Sequence, residues 1–81
     1  MTREHAIRAY NSSKISSLFQ AYANPSWEKQ KAFIDITHEM QECGGHDLRI
    51  TGYNCNFFSC AYKCGDKLIF HTYASKYEYQ L

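Results

Sequence analysis

The 81-residue sequence has no excess of charge of either sign, because nine Lys and Arg balance eight Asp and Glu to a net charge of +1. The positive residues are scattered along the chain and form no basic stripe. A protein that binds nucleic acid through its phosphates normally clusters its positive charge. We therefore expect no direct nucleic-acid partner.

Long apolar runs are also missing, so the sequence has neither a signal-peptide segment nor a membrane-spanning segment. We expect a cytoplasmic protein without a membrane partner. Disulfides are rare in a reducing cytosol, which directs the four cysteines toward metal binding, burial or redox chemistry. Secretion by a route that leaves no such segment would reverse this expectation.

Motifs of catalysis are absent as well. The sequence has no phosphate-binding glycine loop, no nucleophile elbow and no His-Glu-x-x-His helix, so we expect that the protein is not an enzyme. One alternative remains open. If Gly65-Asp66 forms a two-residue hairpin turn, Cys60 lies opposite His71, and the two could serve a small cysteine-dependent enzyme.

Aromatic residues make up 16% of the chain, led by seven tyrosines and five phenylalanines. Tyrosine is enriched at protein interfaces because it buries a large area and still offers a hydroxyl group. Tyr77, Tyr79 and Trp27 are therefore our candidate binding residues. Packing inside the domain is the alternative role for each of them.

The first part of the chain has helical periodicity. Apolar residues over 3–22 recur at helical spacing, with an interruption at 11–13 that leaves open whether the helix breaks there. Asn24 as N-cap and Pro25 at the first helical position predict a second helix that runs to about Glu42. Gly44-Gly45 follows as its expected end.

The second part of the chain changes to strand periodicity. The alternation over 48–51 and the aromatic and β-branched runs over 57–62 and 67–73 predict three strands joined by turns. The tail, 74–81, alternates weakly and fits either a short edge strand or an ordered arm. We predict a single α+β domain, with two N-terminal helices packed on one face of a three-stranded antiparallel β-meander.

The cysteines suggest a metal site at one end of this meander. Cys43 and His46 lie between the second helix and the first strand, and Cys64 lies in the hairpin at the same end. With Cys60 they form a candidate set of four ligands for a structural zinc, which would stabilise a domain of this size.

Two alternatives to this ligand set stay open. His71 could replace Cys60 as the fourth ligand, since an extended strand places Cys60 and Cys64 about 13 Å apart. The thiols could also be ordinary buried side chains, because free cysteine is among the most buried residue types. Cys55 lies at the far end of its strand and is excluded unless the metal lies at that end instead.

Four segments of the sequence carry a resemblance to a known class of proteins. The segments are Asn24-Pro25-Ser26-Trp27, Lys31-Ala32-Phe33, Leu48-Arg49-Ile50-Thr51 and Asn56-Phe57-Phe58-Ser59-Cys60-Ala61. In them the chain resembles small proteins of phages and mobile elements of Firmicutes, some of which are anti-CRISPR inhibitors, including zinc-containing ones that bind Cas9.

The resemblance implies a protein that inhibits a host defence nuclease by binding it, with Cas9 as the concrete partner. A phage accessory domain that binds some other protein is the alternative. The shared segments are structural, so they transfer no functional residue. Many Cas9 inhibitors are strongly acidic mimics of DNA, whereas this chain is neutral overall, which favours binding to a protein lobe.

Overall fold

The computed structural model of the chain describes residues 2–13, 27–54, 57–72 and 75–81, with the side chains of 27–30, 53–54 and 57–58 left aside. Two helices and four strands lie within these ranges. They are α1 (Arg3–Ser12), α2 (Trp27–Glu42), β1 (His46–Asn54), β2 (Phe57–Cys64), β3 (Lys67–Thr72) and β4 (Lys76–Gln80). No helix in these ranges is long and apolar enough to cross a membrane.

Helix α1 is bounded by capping interactions at both ends. The Thr2 hydroxyl accepts the backbone N–H of His5, as expected of an N-cap threonine. At the other end the Ser13 N–H donates to the carbonyl of Tyr10. The described helix thus ends within the predicted interruption, at Ser12, and the rest of the predicted span, 14–22, lies outside the described residues.

Helix α2 occupies the middle of the chain and ends at Glu42, close to the predicted position. Its proposed caps, Asn24 and Pro25, lie outside the described residues. After the helix, Gly44 adopts a positive φ of 71°. The N–H of Gly44 donates to Gln41 and that of Gly45 to Met40, the hydrogen-bond pattern of a Schellman motif. The predicted termination at the glycine pair is confirmed.

The sheet has four antiparallel strands in the order β1-β2-β3-β4. The predicted three-stranded meander is therefore wrong, because the tail of the chain forms β4 and pairs with β3. The two-residue turn at Gly65-Asp66 is present, and it pairs Cys64 with Lys67 and Cys60 with His71.

The helices cover opposite faces of this sheet, which corrects the prediction that both helices lie at the N-terminus and pack on one face. Ala6 and Tyr10 of α1 pack on one face, and Phe33 and Ile36 of α2 pack on the other. The strand residues under α1 are Ala61, Leu68 and Phe70. Those under α2 are Leu48, Cys60, Tyr62 and Ile69. Because both faces are covered, all residues of β3 from Leu68 to His71 are buried.

A bulge in β1 connects the sheet to α1. The register with β2 shifts between His46 and Arg49, and Asp47 within this shift has a φ of 59°. A shift of this kind re-aims the backbone locally. The carbonyl of Asp47 accepts a 2.6 Å hydrogen bond from the hydroxyl of Tyr10 on α1. The irregularity in the strand thus provides the acceptor for a buried tyrosine.

Candidate functional site: the groove between α2 and β4

The predicted zinc site is a disulfide instead. Cys43 and Cys64 are bonded to each other, with their Cα atoms 6.4 Å apart and 21 positions apart in sequence. The expectation that they meet at one end of the sheet was correct, but sulfurs bonded to each other are not available as thiolate ligands. The described residues contain no group of three or more His, Cys, Asp or Glu that could hold a metal ion. The zinc prediction is therefore wrong.

The other two predicted ligands are not part of the disulfide. Cys60 is fully buried among the core residues under α2, and His46 is an exposed residue beside Asp47. His71, the alternative ligand, is paired with Cys60 across the β2–β3 ladder. Cys55 lies outside the described residues.

Local backbone packing explains why Cys43 reaches Cys64. A Cβ on Gly45 would lie 2.9 Å from the side chain of Met40 and 3.0 Å from the carbonyl oxygen of Lys63. Only glycine permits so close an approach of the helix terminus to β2. This approach places the last turn of α2 beside the end of β2, and the two cysteines occupy adjacent positions there.

On the same side of the sheet, α2 and β4 border an open groove. It consists of two cavities of about 270 and 290 Å³ that share Glu39 of α2 and Lys76 of β4 in their walls. The Lys76 ammonium lies 3.3 Å from a Glu39 carboxylate oxygen. This ion pair lies where the two cavities adjoin.

The floor of the groove contains a buried histidine. The His71 side chain is 7% exposed, its ring stacks on that of Tyr62 at 5.7 Å, and its Nε2 lies 3.7 Å from the other Glu39 oxygen. No hydrogen-bond partner reaches Nε2 from the described residues. Burial lowers the pKa of His71, Glu39 opposes that shift and Lys76 adds to it. The imidazole is therefore neutral at physiological pH.

The charge of the groove is negative. Among the described residues, its walls hold one ammonium, that of Lys76, and four carboxylates, which are those of Asp35, Glu39, Glu42 and Glu78. Apolar surface lies between them, from Ile36 and Ala32 in one cavity and from Ile69 and Tyr62 in the other. Such a site matches a cation on an aliphatic stem, as in arginine or lysine.

The predicted binding residues lie elsewhere. Tyr77 and Tyr79 pair with Phe70 and Leu68, which places them on the α1 side of β4. Tyr77 is 41% exposed, and Tyr79 is partly buried against the cluster under α1. Their rings stack at 6.4 Å. Trp27 begins α2, and its side chain lies outside the described residues.

Sequence reasoning did not identify the groove, although the sequence contained a signal for it. Asp35, Glu39 and Glu42 follow each other at intervals of four and three residues, which puts three carboxylates on one side of a helix. In the tail, Lys76 and Glu78 alternate with the tyrosines and so share one face of a strand. Only the pairing of β4 with β3 brings these two rows together.

A larger cavity of about 530 Å³ lies along α1. The described residues that line it all belong to that helix, and the segment that follows the helix lies outside the described residues. The groove between α2 and β4 is formed by two elements of the fold, and it is therefore our candidate site.

Comparisons with known proteins identified no relative of this chain. No protein family matches it, and no similar curated protein or solved structure was found.

Proposed function

We propose that the protein is a binding module that inhibits a host defence nuclease, and that its acidic groove holds a basic segment of that nuclease. The observation that carries the proposal is the set of four carboxylates around one ammonium between α2 and β4. A protein that is neutral overall thus concentrates negative charge on one surface.

A type II CRISPR effector, Cas9, is the concrete partner that we propose. Effectors of this kind hold their guide–target duplex in a positively charged channel, so they present the lysines and arginines that the groove would accept. An arginine side chain could donate hydrogen bonds to the Glu39 carboxylate and to Nε2 of His71, which has no partner among the described residues. This proposal rests on side-chain recognition and needs no overall mimicry of DNA.

This proposal places the protein in the cytoplasm of a bacterial host. Thiol systems there reduce most disulfides, so the Cys43–Cys64 bond would have to resist them or be open during function. The carboxylates of the groove carry their charge in either case. Binding should accordingly be measured with and without a reductant.

The direct test is a Cas9 cleavage assay with increasing amounts of the protein, together with calorimetric titration of Cas9. The wild-type protein should reduce cleavage. Glu39→Gln should weaken binding by at least about tenfold, because it removes the charge of the carboxylate nearest to His71. Glu4→Gln is the matched control, since Glu4 is an exposed carboxylate on α1, outside the groove.

The outcomes separate the candidates. Equal inhibition by wild type and Glu39→Gln would contradict the role of the groove, and absence of Cas9 binding would remove Cas9 as the partner. If an arginine-rich peptide still binds in a Glu39-dependent way, the alternative of a phage accessory domain with another basic partner takes its place.

An enzymatic function is the weaker alternative. Cys60 and His71 do lie opposite each other, as a cysteine-dependent enzyme would need. Cys60 is fully buried, however, and burial raises the pKa of its thiol to about 12. Because the thiolate is the nucleophile in such enzymes, a thiol of this kind is inert at neutral pH. We propose that the protein is not an enzyme.

A further inference from the structure

The two edges of the sheet differ in regularity. The pairing of β1 with β2 is interrupted by two register shifts, whereas β4 pairs with β3 without a shift over its whole length. Bulges are one device by which proteins prevent an edge strand from pairing with another chain. Among the described strands, β4 is the edge that lacks this protection.

The hydrogen-bond pattern identifies the backbone groups that face outward from β4. The N–H of Leu81 donates to Asp66, and that of Thr72 donates to Ser75, so these two pairs are hydrogen-bonded pairs of the β3–β4 ladder. Along antiparallel strands, hydrogen-bonded pairs alternate with pairs that are not hydrogen-bonded to each other. Tyr77 and Tyr79 therefore direct their backbone groups toward β3, and the residues between and beside them direct theirs outward.

One contact of the helix agrees with this assignment. Nε of Arg3 on α1 donates to the carbonyl oxygen of Gln80 at 2.5 Å. A group of α1 thus occupies the outward-facing carbonyl at the C-terminal end of β4. Within the described part of the chain, no other strand pairs with the outward side of Lys76 and Glu78.

We propose that this edge pairs with the same edge of a second copy of the chain, strand against antiparallel strand, with Tyr77 opposite Tyr77 of the second copy on the two-fold axis. In this register Lys76 of each copy lies opposite Glu78 of the other. Both are hydrogen-bonded pairs, and each exchanges two N–H···O=C bonds. The result is one continuous sheet across the two copies.

Charge complementarity selects this register from its neighbours. A shift of two residues in one direction puts Glu78 opposite Glu78 of the second copy, and the same shift in the other direction puts Lys76 opposite Lys76. Like charges directly opposite on paired strands are destabilising, and opposite charges are stabilising. The charges of Lys76 and Glu78 are thus complementary between two copies of the strand in the register with Tyr77 on the axis.

The exposed side chains fit the same arrangement. The large hydrophobic residues with the greatest exposure in the described chain are Tyr77 at 41% and Leu81 at 43%, and both belong to β4 or follow it directly. A pair of Tyr77 rings across the axis would extend the stack that Tyr77 already makes with Tyr79. The Tyr77 pair lies on the α1 face, whereas Lys76 and Glu78 of the cross-strand pairs line the α2–β4 groove. The dimer would therefore use two residues of the proposed nuclease site, and nuclease binding should be measured below the dimer's dissociation constant.

Sedimentation of the purified protein over a concentration series tests the association. We expect a reversible dimer with a dissociation constant between about 1 µM and 1 mM. Lys76→Glu alone and Glu78→Lys alone should each weaken the dimer by about tenfold, because each puts like charges opposite each other. The two variants mixed should form a heterodimer, and the double exchange K76E/E78K should restore the homodimer.

Cysteine cross-linking tests the register. Tyr77→Cys should form a disulfide-linked dimer under mild oxidation, because residues directly opposite in a non-hydrogen-bonded pair have Cα atoms about 4.5 Å apart. Tyr79→Cys is the matched control and should not, since residue 79 lies opposite residue 75 of the second copy. The wild-type chain controls for the native cysteines.

Blocking the edge gives a test that does not depend on charge. Glu78→Pro removes an outward N–H while the bonds to β3 remain, so the variant should keep its fold and lose the dimer. Circular dichroism checks the fold. A wild-type protein that stays monomeric at about 1 mM, a dimer that tolerates Glu78→Pro, or cross-linking through residue 79 in place of 77 would each overturn the proposal.

Discussion

The two faces of the sheet carry polar groups in different ways. Under α1, the Tyr10 hydroxyl donates to Asp47, and the Arg49 guanidinium lies 4.6 Å from the centre of the Tyr10 ring while its Nη1 donates to the carbonyls of Tyr10 and Ser13. Among the described residues of this face, Nε of Arg49 is the one buried side-chain atom without a hydrogen-bond partner. Under α2, an ion pair and a histidine nitrogen that has no partner within the described ranges border open cavities.

This difference separates stability from recognition within one small sheet. On the α1 face, Arg49 and Lys63 lie over the Tyr10 ring, and Arg49 also donates to helix carbonyls. These cations therefore interact with groups of the protein itself. On the α2 face, carboxylates line the walls of the groove and stay available to a ligand. Substitution of the groove carboxylates should therefore reduce binding before it reduces stability, whereas substitution of the polar groups on the α1 face should reduce stability.

The largest expected effect comes from the disulfide, which holds the α2 face together. Replacing both residues, Cys43→Ser and Cys64→Ser, should lower the free energy of unfolding by about 3 kcal/mol, because the bond closes a loop of 21 positions. Chemical denaturation measures the loss. Reductant should produce a similar loss in the wild type and none in the variant, and equal stability of variant and oxidised wild type would refute this account.

A smaller effect is expected on the α1 face. Tyr10→Phe removes the hydroxyl that donates to Asp47 and leaves that carbonyl without this partner, so the free energy of unfolding should fall by about 1 kcal/mol. The ring and its contact with Arg49 are retained. Unchanged stability would show that the bulge at Asp47 contributes nothing through this bond.

The smallest effect concerns His71. An unfolded histidine has a pKa of about 6.5, and burial in the groove floor lowers the pKa of the folded one. Between these two values the unfolded chain binds a proton that the folded chain does not. Stability from this residue is therefore fully present above the unfolded pKa and falls as the pH drops through the folded pKa.

The test compares the pH dependence of unfolding for two variants. His71→Gln should flatten the decline of stability between pH 7.5 and pH 5 relative to the wild type, whereas His46→Gln, at an exposed position, should leave it in place. Comparing slopes removes any constant cost of losing the stack on Tyr62. Glu39 and Lys76 act on His71 in opposite directions, so Lys76→Gln should reduce the slope as well.

Features that depend on neighbouring residues could be predicted from the sequence, and features that depend on tertiary contacts could not. Turn and cap chemistry is local, so the Gly65-Asp66 turn and the end of α2 at the glycine pair were predicted correctly. The placement of helices on opposite faces is a tertiary property. Its signal was the unbroken apolar run of β3, Leu68-Ile69-Phe70, which is typical of a strand covered on both sides.

The site was harder to predict for the same reason. Lys76 and Glu78 alternate with tyrosines, but a five-residue strand with exposed ends gives a weak pattern, so β4 was not included in the predicted sheet. Without β4 the carboxylates of α2 had no opposite wall. For the cysteines, sequence spacing placed Cys43 and Cys64 together correctly, yet spacing alone does not distinguish two metal ligands from a disulfide.

The position of α1 has a consequence for the order in which the molecule folds. The four strands form sequential hairpins with short-range contacts, but α1 packs against both β1 and β4, and its contact from Arg3 to Gln80 joins residues 77 positions apart. The packing of the first helix is thus complete only once the last strand has paired. Contacts of such separation form late. We expect substitutions in α1, such as Ala6→Gly, to speed unfolding and leave the refolding rate unchanged in stopped-flow experiments.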